Sequence, residues 1–244
     1  ENDLSTFYDH HFYDKLEKEV LKSSKVLAPI IVNKYNPKSI LDIGCGNGIW
    51  LKTFEDYGIN DYLGTDGDYV NEDIFRADYS KFIAKNLESE VNFNKKFDLA
   101  ISLEVGEHIS KHSSETYIKS ICKHSDLIIF SAAIPGQKGT NHINENPQSF
   151  WAELFKKQGF HPYDEIRPII WYDSRILYWY RQNIIVYKKE TNTKPLTNKE
   201  LNLIHPEFKF REMNIKNIFF QVLIAPVYVF KRFLNKQFRI QNLN

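Results

Sequence analysis

Three glycines in alternate positions, in Leu41-Asp42-Ile43-Gly44-Cys45-Gly46-Asn47-Gly48, constrain this chain more than any other stretch. Glycine lets a backbone turn sharply and lets a ligand lie against bare main chain. The loop follows a short apolar run, Ser39–Ile43, and precedes a helical pattern from about Gly48 to Tyr57. That order is strand, loop, helix, and it repeats downstream. A strand is expected near Asp61–Thr65, and apolar runs at Phe97–Leu103, Leu127–Ser131 and Asn183–Tyr187 predict others, with helical patterns at 113–124 and 147–158. Upstream, Leu4, Phe7, Tyr8, Phe12, Leu16, Val20, Leu21 and Val26 predict a helix over 4–32 that Pro29 breaks or kinks and Pro37 ends at the latest. Strands alternating with helices mean an α/β domain with a mostly parallel sheet covered by helices on both faces. With 42% apolar residues among 244, the chain can build one large core, which excludes a mainly disordered protein. Polar Thr191–Glu200, with Pro195, is the expected boundary between a 1–190 domain and a 191–244 tail.

The loop's spacing selects its ligand. A dinucleotide fingerprint reads GxGxxG and a phosphate-cradling P-loop ends in GK[ST]; here the spacing is GxGxG without that ending. Asp42, just before the glycines, would repel a pyrophosphate and suits a cationic ligand, such as S-adenosylmethionine with its ammonium and sulfonium. Asp66 closes the second strand 22 residues after Gly44, about where an adenosine ribose needs an acid. The plainer alternative is an ordinary strand-to-helix turn.

Leu41–Gly48 resembles motif I of the class I S-adenosylmethionine-dependent methyltransferases, and Asp66 is similar to their ribose-binding acid. Lys85-Asn86-Leu87 stands where that family often has Asp-Leu beside the adenine, with Asn86 departing from the Asp. Phe97-Asp-Leu-Ala-Ile-Ser-Leu-Glu-Val-Gly-Glu-His108 resembles the family's fourth strand and following loop. The resemblance covers about residues 30–190 and implies a Rossmann-like fold with a seven-stranded sheet. It also implies S-adenosylmethionine as cofactor, with Asp42, Gly44, Cys45, Gly46, Asp66, Asn86, Leu87, Leu103 and Glu104 around it. Pro135-Gly-Gln, Asn141-His-Ile-Asn-Glu145, Ser149-Phe-Trp151 and Trp179-Tyr-Arg-Gln-Asn183 resemble methyltransferases of glycan and capsule-type polysaccharide biosynthesis.

Methyl transfer from a sulfonium is an in-line displacement, so the protein must align the acceptor atom and remove its proton. Candidates belong at the carboxyl ends of the strands, in the loops after Leu103 and Ser131. His142 is the first choice for general base, with helix capping or a backbone hydrogen bond as its alternative. His108 is the second choice, and Glu107 serves either in catalysis or in holding a loop or the cofactor amine. His108-x3-His112 lacks the Glu of HExxH and a completing ligand, so no metal is expected, and His10 and His11 read as a solvated helix face. The aromatic segment Trp171–Asn183 reads as sheet-edge packing, or as an acceptor wall using Tyr180, Arg175 and Arg181.

A net charge of +1 argues against a nucleic-acid partner, as does the absence of Asp/Asn-Pro-Pro-Tyr after the fourth strand. Cys45 and Cys122 are too few for a disulfide framework, which fits a reduced, cytoplasmic setting. Met213 is the only methionine, leaving room for a longer parent chain. Residues 205–244 carry seven basic side chains against two acids, and Ile218–Phe230 is apolar but too short to span a bilayer. Packing of this tail on a protein surface is favoured over the membrane interface. The expected activity is methylation of a small-molecule or glycan acceptor, most simply at a sugar oxygen. The alternatives are an amine or phosphoryl-type oxygen, or a non-catalytic binding subunit.

Overall fold

The computed structural model describes residues 10–189 and 194–208. The apolar tail stretch 218–230 and residues 1–9 lie outside them. The chain runs α1 (His10–Tyr35), β1 (Ser39–Ile43), α2 (Ile49–Asp56), β2 (Asp61–Asp66), β3 (Phe82–Ala84), β4 (Leu99–Leu103) and α3 (Ser114–His124). It continues through β5 (Leu127–Ser131), α4 (Gln148–Lys157), β6 (His161–Tyr163), α5 (Arg167–Ile170), α6 (Tyr178–Asn183), β7 (Ile185–Lys188) and α7 (Asn198–Leu201). These elements belong to one compact unit ending at His205, while the expected boundary at 191–200 falls partly on residues outside the description.

The strands form one sheet in the order β3-β2-β1-β4-β5-β7-β6, parallel except for β7, which runs antiparallel to β5 and β6. The fold is the Rossmann-like α/β arrangement with seven strands. Period-two alternation deals the side chains to two cores. Ile40, Leu99, Ile101, Ile129 and Val186 face the side covered by α1 and α2, with Leu27, Ile31, Leu51 and Phe54. Leu41, Ile43, Ala100, Ile128, Phe130 and Tyr187 face the other side, against Ile118 and Ile121 of α3 and Trp151 and Phe155 of α4. Both faces being covered explains why β1 and β4 are buried throughout and read as continuous apolar runs.

Pro29 lies inside α1 and does not end it. A mid-helix proline costs about 3 kcal/mol, and the complete burial of Leu27, Ala28 and Ile31 on both sides of it offsets that loss. The helix stops where Asn36 takes a φ of 46°, just before Pro37. The aromatic segment is not sheet edge: its second half is α6, and the edges are the three-residue strands β3 and β6. Burial of Tyr178, Tyr180, Gln182 and Asn183 in that helix outweighs the β-preference of its aromatic residues.

The chain leaves β1 toward β2 on one side and enters β4 on the other. The crevice at the carboxyl ends of β1 and β4 is therefore the topological switch point, where open α/β sheets bind ligands.

Candidate active site

The glycine loop leaves β1 at this crevice. The N–H groups of Gly44 and Cys45 donate to the Thr65 carbonyl at 2.8 and 3.2 Å, tying the loop to the end of β2. Gly44 has a φ of 85°, and a Cβ there would stand 2.4 Å from a Val105 methyl, so only glycine lets this loop touch the one after β4. At Gly46 a Cβ would meet nothing within 4 Å, which leaves bare main chain facing open space. Asp66 accepts hydrogen bonds from Gly46 N–H at 2.7 Å and Gly67 N–H at 2.8 Å, and from the Tyr69 hydroxyl. Burial raises its pKa, and those three donors work against the rise. Asp42 differs. It is buried with its Oδ2 unpartnered, and burial, then the charge of Asp66, push its pKa well above the carboxylate range.

The second half of the crevice comes from two loops. Glu104, at a φ of 57°, ends β4; its N–H donates to the Ser131 carbonyl at 2.9 Å. Its carboxylate accepts from Gln137 Nε2 at 2.8 Å and Asn183 Nδ2 at 3.1 Å, joining β4, the loop after β5 and α6. Burial raises the Glu104 pKa against these donors. Glu107 sits in a 3-10 turn, Gly106–His108, and its carbonyl accepts from the N–H groups of Ile143 and Asn144 at 3.0 Å each. That bridge sets His142 against His108, ring centroids 5.0 Å apart and edge to face. His142 Nδ1 lies 2.9 Å from Glu145 Oε1, and Glu145 is itself fixed by Gly136 N–H at 2.8 Å and Lys138 N–H at 2.6 Å.

A sequence-family model described as "Methyltransferase domain" matches residues 8–131, just over half of the chain. The protein belongs to the methyltransferase family. Its cofactor is S-adenosylmethionine. No curated protein matches the sequence. An O-methyltransferase family protein from Burkholderia thailandensis is similar in structure, with a TM-score of 0.57 and 12% identity. The match covers 78% of this chain, which spans 63% of that protein's length. A sugar N-methyltransferase from a Streptoalloteichus species gives a TM-score of 0.57 at 10% identity, covering 74% of this chain and 92% of that one. Magnesium protoporphyrin IX methyltransferase from Synechocystis, with bound S-adenosylhomocysteine, gives 0.52 at 14%, covering 75% and 89%. At these identities the likenesses describe the fold.

This methyltransferase has room for its cofactor's charge. The unpartnered Oδ2 of Asp42 is a buried acceptor that suits a cationic donor, and the main chain at Gly46 faces open space. When bound, S-adenosylmethionine supplies the electrophilic methyl group. Asp42, Asp66 and the loop's main chain would hold it and orient it.

The other expected residues divide. Leu103 is buried at the end of β4, and Leu87 is buried in the second core beyond β3. Asn86 turns its Oδ1 to the N–H of Glu88 at 2.9 Å, capping a turn. Cys45 contributes backbone, since its Sγ points into the fold, 2.9 Å from where a Cβ on Gly64 would stand. Tyr180 is buried edge-on against Trp50. The two arginines have protein partners: Arg175 forks onto Asp173 at the surface, and buried Arg181 donates to the Trp171 carbonyl at 3.3 Å beside His205. His112, exposed, pairs with Ser110 Oγ at 3.3 Å. Sequence reasoning missed Gln137, Asn183, Glu145 and Tyr69 as site residues. Tyr69 and Glu145 each stand three positions after a residue it had chosen; Asn183 gives no local signal, being 79 positions from Glu104.

Proposed function

We propose that this methyltransferase methylates a hydroxyl oxygen of a small-molecule or glycan acceptor, a sugar being the class that best fits. The observation that carries the reading is the fixed histidine pair. Glu145 holds the Nδ1 side of His142, which leaves Nε2 as the ring nitrogen able to take a proton, beside His108 and Glu107. A hydroxyl needs such a group because its lone pair is a poor nucleophile until the proton leaves. A neutral amine attacks first and sheds its proton afterwards, so it needs no base in the transition state. The fold shared with a sugar N-methyltransferase is in line with a sugar-sized acceptor.

The reaction forms a carbon–oxygen bond as the carbon–sulfur bond breaks. The sulfonium keeps the bonding pair and leaves as the neutral thioether. Burial holds the His108 pKa below that of free imidazole, with His142 adding to the effect. The experiment is a screen of hydroxylated and amino sugars, free and nucleotide-linked, with isotopically labelled S-adenosylmethionine and mass-spectrometric location of the methyl group. An O-methyl product supports the reading. A product methylated on nitrogen, or turnover indifferent to His142→Ala, overturns it.

A further inference from the structure

We propose that Glu107, His108 and His142 form a site for one borderline divalent metal ion of the Zn2+ type. The proposal goes beyond the methyl-transfer reading, since ion binding can be measured with no acceptor present.

Four observations converge on it. First, each of the three side chains brings a ligand atom within 4.8 Å of the other two. Ligands about 2.0–2.2 Å from a shared Zn2+ lie at most about 4.4 Å apart. The 3.9 Å between His142 Nε2 and Glu107 Oε1 already meets that, and the widest gap must close by only a few tenths of an ångström. Second, both imidazoles are held from behind. His142 Nδ1 faces Glu145 Oε1 at 2.9 Å, and His108 Nδ1 faces the Asn141 carbonyl at 3.1 Å. A proton on Nδ1 that is given to an outer acceptor leaves Nε2 with the lone pair, which is how metal-bound histidines are oriented. One outer acceptor is a carboxylate and the other a carbonyl, the two kinds most used for this.

Third, Glu107 is fully buried and neither carboxylate oxygen accepts a hydrogen bond. The N–H groups of Glu107 and Ala133 point toward the carboxylate without reaching bonding geometry. Protonating the acid would cancel its charge and still leave polar atoms orphaned. A cation satisfies both oxygens at once, and a bound ion is a standard partner for such an orphan. Fourth, a Cβ on Gly139 would stand 2.2 Å from His142 Nε2. The loop passes over the face of the ring, and a glycine there is what leaves room for the imidazole in this position.

Two imidazoles and one carboxylate leave at least one coordination position open, as in catalytic rather than structural zinc sites. An ammonium group could also fill the gap, but it would need nothing to fix both ring tautomers outward. On the reading of a hydroxyl acceptor, the open position takes that oxygen. An ion-bound hydroxyl loses its proton near neutral pH, because the cation stabilises the alkoxide. The oxygen–hydrogen bond breaks, the proton passes to solvent, and the oxygen attacks the methyl carbon as the carbon–sulfur bond breaks. In the loaded protein His142 is then a ligand, since its Nε2 lone pair cannot also take the proton.

The test is titration of the chelator-stripped full chain with Zn2+ against a chromogenic chelator, with Mg2+ in parallel. The expected result is one Zn2+ per chain, with Mg2+ far weaker at this nitrogen-rich donor set. His108→Ala, His142→Ala and Glu107→Gln should each weaken Zn2+ by about a hundredfold or more, and Glu145→Gln by about 10–100-fold, as for outer partners of a ligand. Gly139→Ala, which keeps every ligand, should weaken it as well. His112→Ala should leave it unchanged. S-adenosylhomocysteine binding in each variant confirms that the fold is kept, and its failure in the wild type would indict the cofactor reading instead. Stoichiometry well below one, or Zn2+ affinity unmoved by the three ligand substitutions, overturns the proposal. So does weakening of equal size from His112→Ala.

Discussion

Two buried acids, one in each half of the crevice, are partnered in opposite ways. On the cofactor side, Asp66 is buried and accepts three hydrogen bonds. On the acceptor side, Glu107 is buried and accepts none. The first half is assembled from one continuous βαβ stretch, whose backbone and Tyr69 supply the donors to Asp66 and leave Asp42 Oδ2 unpartnered. The second is assembled from two loops 34 positions apart, fastened through the Glu107 carbonyl, and it presents side chains with capacity to spare. Spare capacity in a buried site costs stability, and it persists where something else binds. On the proposed reading, the half around Asp66 recognises the cofactor and the half around Glu107 reacts.

The sharpest way to break that contrast is turnover. His142→Ala should lower it by roughly 10²–10⁴ while S-adenosylhomocysteine affinity stays nearly constant, measured by steady-state kinetics and calorimetry. A parallel loss of cofactor affinity would merge the two halves. Next in size is Asp66→Ala, which should weaken S-adenosylhomocysteine by roughly ten- to a hundredfold, the worth of about 1–3 kcal/mol in lost hydrogen bonding. An unchanged dissociation constant would remove Asp66 from the ribose.

The same contrast decides what could be read from sequence. The glycine loop, Asp42 and Asp66 announce themselves because a tight turn and a ribose acid sit at fixed offsets along one strand–helix–strand unit. Five of the seven strands were legible, four of them as apolar runs, since strands covered on both faces need no polar alternation. The three-residue edges β3 and β6 were not, because three residues carry no period. On the acceptor side, His108, Glu107 and His142 could each be named, but their meeting could not. Reading along the chain paired His108 with His112, one helical turn away, whereas a 3-10 turn and a backbone bridge pair it with His142. The partners of the two arginines were out of reach for a related reason: the aromatic segment suggested either ring packing or a phosphate or carboxylate contact, and the structure shows Asp173 at Arg175 and the Trp171 carbonyl at Arg181. The apolar stretch 218–230, where the membrane question lay, is outside the described residues.

A smaller effect sharpens the comparison through stability. Glu107→Gln keeps the shape and removes the charge, so without metal the variant should be more stable by about 1 kcal/mol, or roughly 2–4 °C in Tm for a domain of this size. Asp66→Asn should move Tm the other way, because its carboxylate is already well partnered. Added Zn2+ should raise the wild-type Tm past that of Glu107→Gln, as expected when a ligand binds only the folded state. Scanning calorimetry with and without Zn2+ reads all three; a Glu107→Gln protein less stable than wild type before metal is added would mean that Glu107 holds the fold together.

The smallest effect concerns pH and Asp42. Its pKa is raised in the folded protein by burial and by Asp66, with the thiol of Cys45 beside it also pushed up. A carboxyl whose folded pKa exceeds its unfolded value binds its proton more tightly when folded. Below the unfolded value, near 3.9, it contributes nothing; as pH rises from there through the raised pKa, the cofactor-free protein loses stability. The cofactor's positive charge opposes that loss by favouring the ionised form. The rise in Tm caused by S-adenosylmethionine should therefore grow as pH increases across this window, with affinity changing by at most about tenfold per pH unit for a single proton. Asp42→Asn should flatten the dependence while lowering affinity at the upper end. Thermal-shift measurements from pH 5 to about pH 8 check it; a slope that survives in Asp42→Asn would assign the titration to Asp66, the other buried acid in this half.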